Sequence, residues 1–313
     1  MRVQGLLGVL VLLALILLPS FLPIYFVLLF TEILIMGLFA LSFNLLFGYT
    51  GLLSFGHAAF FGLGGYAAAF LIRDWGASMA LAMLGGVIVA GAAAVLIGYL
   101  SVRLDEIYFA MLTLGFGMMF FTLVHQWREV TGGSDGITGF GSPTLKLFGL
   151  TLFLGHPVHY YYFALAVVVG SSYLLWRITR SPFGLLLLSL RENPERAAFL
   201  GVDVRRYRWF AFVIAGIFAG LAGSLFSPFD RMASPTMLHW TKSAEPVLMS
   251  ILGGANLFLG PMVGAAIFFF LEHIITKFTT SWMIFLGAIL VLLVIFFPEG
   301  ILGTVVRRGH GKG

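Results

Sequence analysis

The chain has 313 residues, of which 60% are hydrophobic and 10% charged, with a formal net charge of +5 and no cysteine. A soluble domain carries about a quarter charged residues, so composition places this chain in a membrane, and the missing cysteines exclude disulfides, thiolate catalysis and Cys-ligated metal. Basic inner loops account for the small positive charge without any nucleic acid partner, and no polar segment is long enough to bury a core of its own, which leaves one membrane domain over residues 1–313.

Gly5 to Leu18 is a short apolar run after Arg2 and is read as a retained first span, because no small-residue cleavage site follows it. Pro19 and Pro23 are expected to bracket the turn that comes next, since proline lacks the donor a continuing helix needs. Ile24 to Phe47 is a full span, as about 20 residues rising about 1.5 Å each cross a hydrocarbon core of about 30 Å. The stretch Gly48 to Tyr66 then carries glycines at 48, 51, 56, 62, 64 and 65. Ala58, Gly62 and Tyr66 share one helical stripe, with Ser54 and Gly51 nearby, and small residues at this spacing let helix backbones approach closely. A glycine-rich discontinuous helix also leaves backbone groups free to meet a polar substrate at membrane depth. Asn44, Gly51, Ser54 and His57 are therefore candidate pathway residues, against the plainer reading of tight packing with His57 bonded to a neighbour.

Ala77 to Leu100 and Ile107 to Trp127 are further spans, separated by the polar link Arg103, Asp105 and Glu106. The cluster TGGSDGITGFGSP (131–143) has turn composition. It has no preceding strand and no GK[ST], so a phosphate-binding reading fails, and 128–158 is expected to be an extracytoplasmic loop. His156 and His159 lie there as a lone pair; with no HExxH and no Gly-x-Ser-x-Gly, neither a metal site nor a catalytic residue is assigned. Tyr160 to Trp176 spans back. Tyr99, Trp127, Tyr160, Tyr161, Trp176 and Trp209 are read as an aromatic belt at span ends.

Arg177 to Arg208 is the longest break in the apolar pattern, with seven basic and three acidic residues. Its basic excess puts the loop, 178–209, on the cytoplasmic side. Ser181-Pro182 and Asn193-Pro194 are each a capping residue followed by proline at the first helical position. They predict one short helix to about Leu190 and a second through Leu200, closed by Gly201. Ala197 and Ala198 keep one surface small, and Phe199 and Leu200 offer apolar anchors. Such a rigid knob suits a groove on another protein because little ordering entropy is lost on docking; a loop that only fixes topology is the plainer alternative.

Trp209 to Phe226 crosses outward, and Asp230 to Lys242 is expected to be an external loop with Glu245 at its rim. Pro246 to Leu252 and Met262 to Ile275 read as two tilted or broken crossings joined at Gly253-Gly254 and Gly260-Pro261. Ser281 to Phe297 is the last span, ended by Pro298. Counting Lys and Arg with the amino terminus inside gives twelve inner against six outer residues, so both termini are expected in the cytoplasm and ten crossings follow. Glu32, Glu272 and His273 are ionisable residues in or near apolar runs; such groups usually face a cavity or a partner. Glu32 joins the pathway candidates, and a proton-relay reading would make the chain an ion-coupled secondary transporter. The expected fold class is an all-α polytopic membrane protein of about ten transmembrane or half-membrane helices with a cytoplasmic coupling helix.

The segments FNLLFGYTGLLSFGHAAFFGLGGYAA (43–68), TGGSDGI (131–137), RSPFGLLLLSLRENPERAAFLGVDV (180–204), AFVIAGIFAGLAGSLF (211–226) and ILGGANLFLGPMVGAAIF (251–268) occur in this order. Together they resemble the LivM-like permease subunits of LIV-type ABC importers of branched-chain amino acids. The resemblance implies a multi-pass subunit of the bacterial plasma (inner) membrane that forms half of a pathway and contacts membrane lipid. It implies a related second permease, two ATPase subunits that bind the ATP, and an extracytoplasmic substrate-binding protein, with no cofactor in this chain. It makes Asn193, Pro194, Glu195, Arg196, Ala197, Ala198 and Gly201 the contact to the ATPase. Glu195, Ala197 and Gly201 resemble the EAA---G loop of ABC permeases, with Arg196 in place of the first alanine. Related permeases also carry urea and short amides.

Overall fold

In the computed structural model the first helix, α1 (Arg2–Phe21), runs through Pro19 instead of stopping at it. Pro19 cannot donate to the carbonyl of Leu15. A buried tyrosine does so in its place: the Tyr161 hydroxyl donates to Leu15 O at 2.7 Å, and Tyr162 donates to Ile16 O at 3.0 Å. A borrowed donor keeps the interrupted ladder satisfied where lipid supplies none. The turn is thus confined to 22–23, and Pro23 stands just before α2 (Ile24–Thr50). The same observation removes Tyr160 and Tyr161 from the expected aromatic belt, because both are buried and the Tyr160 hydroxyl donates to Leu225 O at 2.6 Å.

The structure describes residues 2–304 other than 105, 142, 148–149, 280–281 and 298. Asp105, Pro298 and the basic residues Arg307, Arg308 and Lys312 used in the topology count lie outside the described residues. After α2 come α3 (His57–Trp75), α4 (Met79–Ser101), α5 (Glu106–Gln126), the single turn α6 (Arg128–Thr131) and α7 (Pro157–Thr179). The loop helices are α8 (Pro182–Glu192) and α9 (Pro194–Phe199), followed by α10 (Val204–Asp230), α11 (Trp240–Gly253), α12 (Gly260–Thr276) and α13 (Trp282–Phe296). Helices α2, α4, α5, α7 and α10 are each long and apolar enough to cross a membrane. The chain is a helical polytopic membrane protein, and its strands are confined to short ribbons.

Those ribbons give local structure to the loop expected at 128–158. β1 (Ile137–Thr138) pairs antiparallel with β4 (Met232–Ala233), and β2 (Thr144–Leu147) forms a hairpin with β3 (Leu150–Phe153). The first pairing ties this loop to the segment after α10.

The central helix is α2, buried along most of its length and packed by α7, α10, α11 and α12. Beside it, α3, α4 and α10 pack through small residues. A Cβ on Gly223 of α10 would fall on the Phe61 carbonyl of α3, and one on Gly64 of α3 would fall on the Gly220 carbonyl of α10. Gly86 of α4 meets the Gly64 carbonyl in the same way. Small residues permit this approach where no hydrophobic force drives helices together in lipid. The stripe expected at Ala58, Gly62 and Tyr66 lies buried on successive turns of α3, while Gly51 and Ser54, expected near it, precede that helix because α2 ends at Thr50. Gly51 takes the left-handed conformation, φ 75°, and its N–H closes the helix on Leu46 O. Residues 51–56 then double back along α2, since His57 at the start of α3 meets Ser42. That is eight residues above Thr50, or about 12 Å along the axis.

The segment after α10 descends in the same manner. The short 3-10 helix Pro235–Leu238 packs on α3, with Leu238 against Gly62 and Met237 against Gly65. Lys242 and Glu245 lie in the first two turns of α11, so the loop after α10 closes at His239. With 14 and 17 residues, α11 and α12 are shorter than a full crossing. They form the expected pair of broken crossings, locked together where Gly264 meets the Met249 carbonyl and Gly253 meets the Gly260 carbonyl.

Candidate functional site

The loop between α7 and α10 folds as the sequence predicts, with one exchange of partners. Asn193 caps α9 by accepting from Arg196 N at 2.8 Å, and Pro194 fills the first helical position. Gly201, φ 87°, closes it: Gly201 N donates to Ala198 O at 2.9 Å and Val202 N to Ala197 O at 3.1 Å. Ser181 makes no cap to α8; its hydroxyl donates backwards to Ile178 O at 2.6 Å, sealing the end of α7. Ala197 packs inward, while Glu195, Arg196, Ala198, Phe199 and Leu200 face outward. Phe199 is 90% and Leu200 81% exposed. Two adjacent apolar residues are thus held out from a short rigid helix beyond the hydrophobic core.

At the other end of α8 sits a residue that the sequence reading counted only as topology. Arg191 Nη1 donates to Gly48 O of α2 at 2.6 Å and to Asn256 Oδ1 at 2.9 Å. Asn256 lies in the turn between α11 and α12. Asn44, one turn before Gly48, donates through Nδ2 to Ala255 O in the same turn at 3.1 Å. Gly51 packs against the Arg191 side chain. One guanidinium thus joins the loop helices, the carboxyl end of α2 and the α11–α12 turn. Nothing in the local sequence distinguishes Arg191 from the other arginines of the loop, since both of its partners are distant in the chain.

His57 and Ser54 are fully buried. The His57 ring stacks on Phe39, with 5.4 Å between centroids, and meets Phe43 and Phe60 edge-on. Its Nε2 lies 3.0 Å from Ser42 Oγ, and Ser42 also donates to Phe39 O at 2.7 Å. A serine has a single hydroxyl hydrogen, so Ser42 accepts from His57, and the ring carries its proton on Nε2. The N-terminus of α3 is buried as well, and its Ala58 N–H donates to Ser243 Oγ of α11 at 2.9 Å. The structure therefore brings Asn44 and Gly51 together at the Arg191 junction, while Ser54 lies on the doubled-back segment and His57 at the start of α3, against Ser42.

Glu32 stands apart, nearer the start of α2. It shares its electrostatic surroundings with Lys242, Glu245 and Asp230, and Glu272 of α12 faces the first two of these as well as Glu32. Lys242 Nζ pairs with Glu245 Oε2 at 2.7 Å. His273 is bonded to Tyr25 through Nδ1 at 2.5 Å. In the outer loop, His156 caps α7 by accepting from Val158 N at 3.3 Å, and His159 Nδ1 lies 3.2 Å from Phe153 O.

Residues 25–294 match the family of branched-chain amino acid transport system permease components. The chain is 30% identical over 297 residues to the high-affinity branched-chain amino acid transport system permease protein LivM of Escherichia coli (strain K12). That match covers 87% of this chain and 70% of the relative. It is 26% identical over 78% of both chains to a probable branched-chain amino acid transport permease protein LivH of Methanocaldococcus jannaschii. It is 27% identical to the ribose import permease protein RbsC of Haemophilus influenzae, over 56% of this chain and 55% of that one. No solved structure matches the chain.

Proposed function

The chain belongs to the family of permease components of branched-chain amino acid transport systems, and from that premise we propose that it forms half of the pathway of an ATP-driven importer. A related second permease supplies the other half, two separate ATPase subunits bind and hydrolyse the ATP, and an extracytoplasmic binding protein delivers the ligand. The cargo is a branched-chain or similar small amino acid, the class for which the LivM and LivH relatives are named. The chain lies in a bacterial plasma membrane with both termini in the cytoplasm. It is a transport component, and the chemistry of hydrolysis belongs to its partners.

The Arg191 junction is the observation that carries the mechanism. Phe199 and Leu200 enter a groove of the ATPase, with Glu195, Arg196 and Ala198 around them, while Asn193, Pro194, Ala197 and Gly201 hold the knob in shape. Closure of the ATPase pair on ATP displaces the knob. Arg191 passes that displacement to α2 through Gly48 and to the α11–α12 turn through Asn256. The α11–α12 hairpin is locked internally by its glycines, so it shifts as a unit against the inner end of α2. Asn44, Gly51, Ser54 and His57 lie along this moving seam, and Glu32 stands at the far end of α2 among charges of α10, α11 and α12.

The test is reconstitution with the partner subunits in proteoliposomes, read by leucine uptake and ligand-stimulated ATP hydrolysis. Phe199→Asp with Leu200→Asp is expected to abolish both and to release the ATPase during purification, leaving the permease pair intact. Full stimulation by this variant would sink the docking assignment; a wild-type complex that stimulates hydrolysis with another ligand but ignores leucine would sink the substrate.

A further inference from the structure

Where the last turn of α4 meets the first turns of α10, Tyr99, Arg103, Arg205, Arg206, Trp209 and Phe210 line an open cavity of about 580 Å3. It lies at the base of the 178–209 loop but outside the α8–α9 knob. Three guanidinium groups face one carboxylate, and that carboxylate is occupied. Asp203 Oδ2 pairs with Arg206 Nε at 2.9 Å, while Asp203 Oδ1 accepts from Arg206 N at 3.1 Å and caps α10. Arg103 lies over the Tyr99 ring, 4.2 Å from its centroid. Among the described residues neither Arg103 nor Arg205 has an ion-pair partner. The cavity therefore presents two uncompensated cations on a wall stiffened by aromatic contacts. Trp209 Nε1 donates to Val95 O at 3.1 Å and holds α10 against α4 there.

The rest of the lining, Val102 with Trp209 and Phe210, is apolar, and exposed leucines of α4 stand beside it. Leu96 and Leu100 lie in the last two turns of α4, either side of the lining residue Tyr99, and Arg103 follows just beyond the end of that helix. Leu96 is 68% and Leu100 50% exposed. Phe210, half exposed, continues the strip on α10. Sidedness alone asks that arginines gather at this end of the molecule; it does not ask that two of them share a cavity beside exposed leucines. A headgroup phosphate with attached acyl chains uses both features, whereas a free phosphate uses only the first, and a zwitterionic headgroup brings its own cation towards the arginines. Basic pockets between transmembrane helices recognise acidic headgroups in this way.

We propose that this cavity binds an anionic phospholipid, its phosphate between Arg103 and Arg205 and its acyl chains along Leu96, Leu100 and Phe210. The bound lipid braces α4 against α10 at the root of the cytoplasmic loop. The assignment needs neither the ATPase partner nor the cargo, so its failure leaves the transport reading untouched, and failure of that reading leaves this one standing.

The test uses the full chain in a neutral detergent with equimolar phosphatidylglycerol and phosphatidylcholine, read by native mass spectrometry. Wild type is expected to retain the glycerol lipid with a preference on the order of tenfold. Arg103→Gln with Arg205→Gln is expected to lose the preference, and Arg177→Gln with Arg180→Gln, on the same loop but outside the cavity, to keep it. An unchanged preference in the cavity variant overturns the proposal, and so does an equal loss in the control variant, which would report a generally basic rim. Thermal denaturation separates the sources of phosphate: phosphatidylglycerol should raise the wild-type midpoint and millimolar inorganic phosphate should not. A matching rise with inorganic phosphate, lost in the cavity variant, would mark a soluble-anion site and overturn the lipid. If the glutamine pair yields no folded protein, Leu100→Glu sets a carboxylate on the exposed strip and is expected to abolish the preference; its persistence counts against the proposal.

Discussion

Where α10 crosses α3, backbone lies on backbone: Gly223 against the Phe61 carbonyl, and Gly64 against the Gly220 carbonyl. Where the carboxyl end of α2 meets the α11–α12 turn, Gly48 also lies close to the Ala255 carbonyl, but side chains add ties of another kind, through Arg191 to Gly48 and Asn256 and through Asn44 to Ala255. The two arrangements respond differently to a push. A glycine contact has no side chain to rearrange, so separating the helices loses the whole contact, and sliding them drives atoms into one another. A hydrogen bond from a long side chain can lengthen, swing or change partner at a cost of about 1 kcal/mol. On the transport cycle proposed above, the α3–α4–α10 group is the part expected to stay fixed, and the side-chain ties between the α2 end and the α11–α12 hairpin are the part able to exchange.

The sharpest way to break this contrast is to crowd the fixed part. Gly223→Leu drives a side chain into the Phe61 carbonyl and is expected to destabilise the protein by about 3 kcal/mol or to prevent its accumulation. Gly170→Leu on α7, where a Cβ meets nothing, serves as the control and should leave the denaturation midpoint unchanged. Equal midpoints for the two variants would mean that α3 and α10 are not bound by close approach. Arg191→Ala probes the adjustable part. It should lower the midpoint by no more than about 1 kcal/mol of stability, yet reduce ligand-stimulated ATP hydrolysis by roughly tenfold with the complex still assembled. A large stability loss with normal stimulation would make Arg191 a structural strut and reverse the comparison.

The difference between the two regions also sets what could be read from residues alone. Asn193-Pro194 and Gly201 act on their immediate neighbours, so the knob's second helix was legible in full. Span positions followed from apolar length, and the broken crossings at 246–276 followed from Gly253, Gly254 and Gly260. Arg191 escaped because its partners lie 143 and 65 residues away, and a distant partner leaves no periodic trace. The tyrosines at 160 and 161 looked like interface anchors by place and type, and their hydroxyl partners lie on α10 and α1. The stripe of Ala58, Gly62 and Tyr66 was legible from its spacing, whereas the path of 51–56 back along α2 was not, because it depends on the distant meeting of His57 with Ser42. Pro19 was misread for the same kind of reason: the rule that proline ends a helix is local, and Tyr161 overrides it from 146 residues away.

That last pair gives the smallest of the expected effects. Tyr161→Phe removes the donor to Leu15 O and should lower stability by about 1 kcal/mol. In a Pro19→Ala background the restored backbone N–H takes over, so the same change should then have almost no effect, as a double-mutant cycle on the denaturation midpoint would read. Full additivity of the two changes would show that the tyrosine does not serve the proline gap.

The cap on α3 has a consequence for how the molecule is made. Ala58 N–H sits in the protein interior, and its acceptor, Ser243 Oγ, comes 185 residues later in the chain. At about 5–20 residues per second, synthesis separates the two by roughly ten to forty seconds. Through that interval α3 has its amino end in the membrane without its final partner, and the stretch 51–56 cannot take up its finished place. The arrival of α11 closes both at once, so the last third of the chain completes a turn that the first third began.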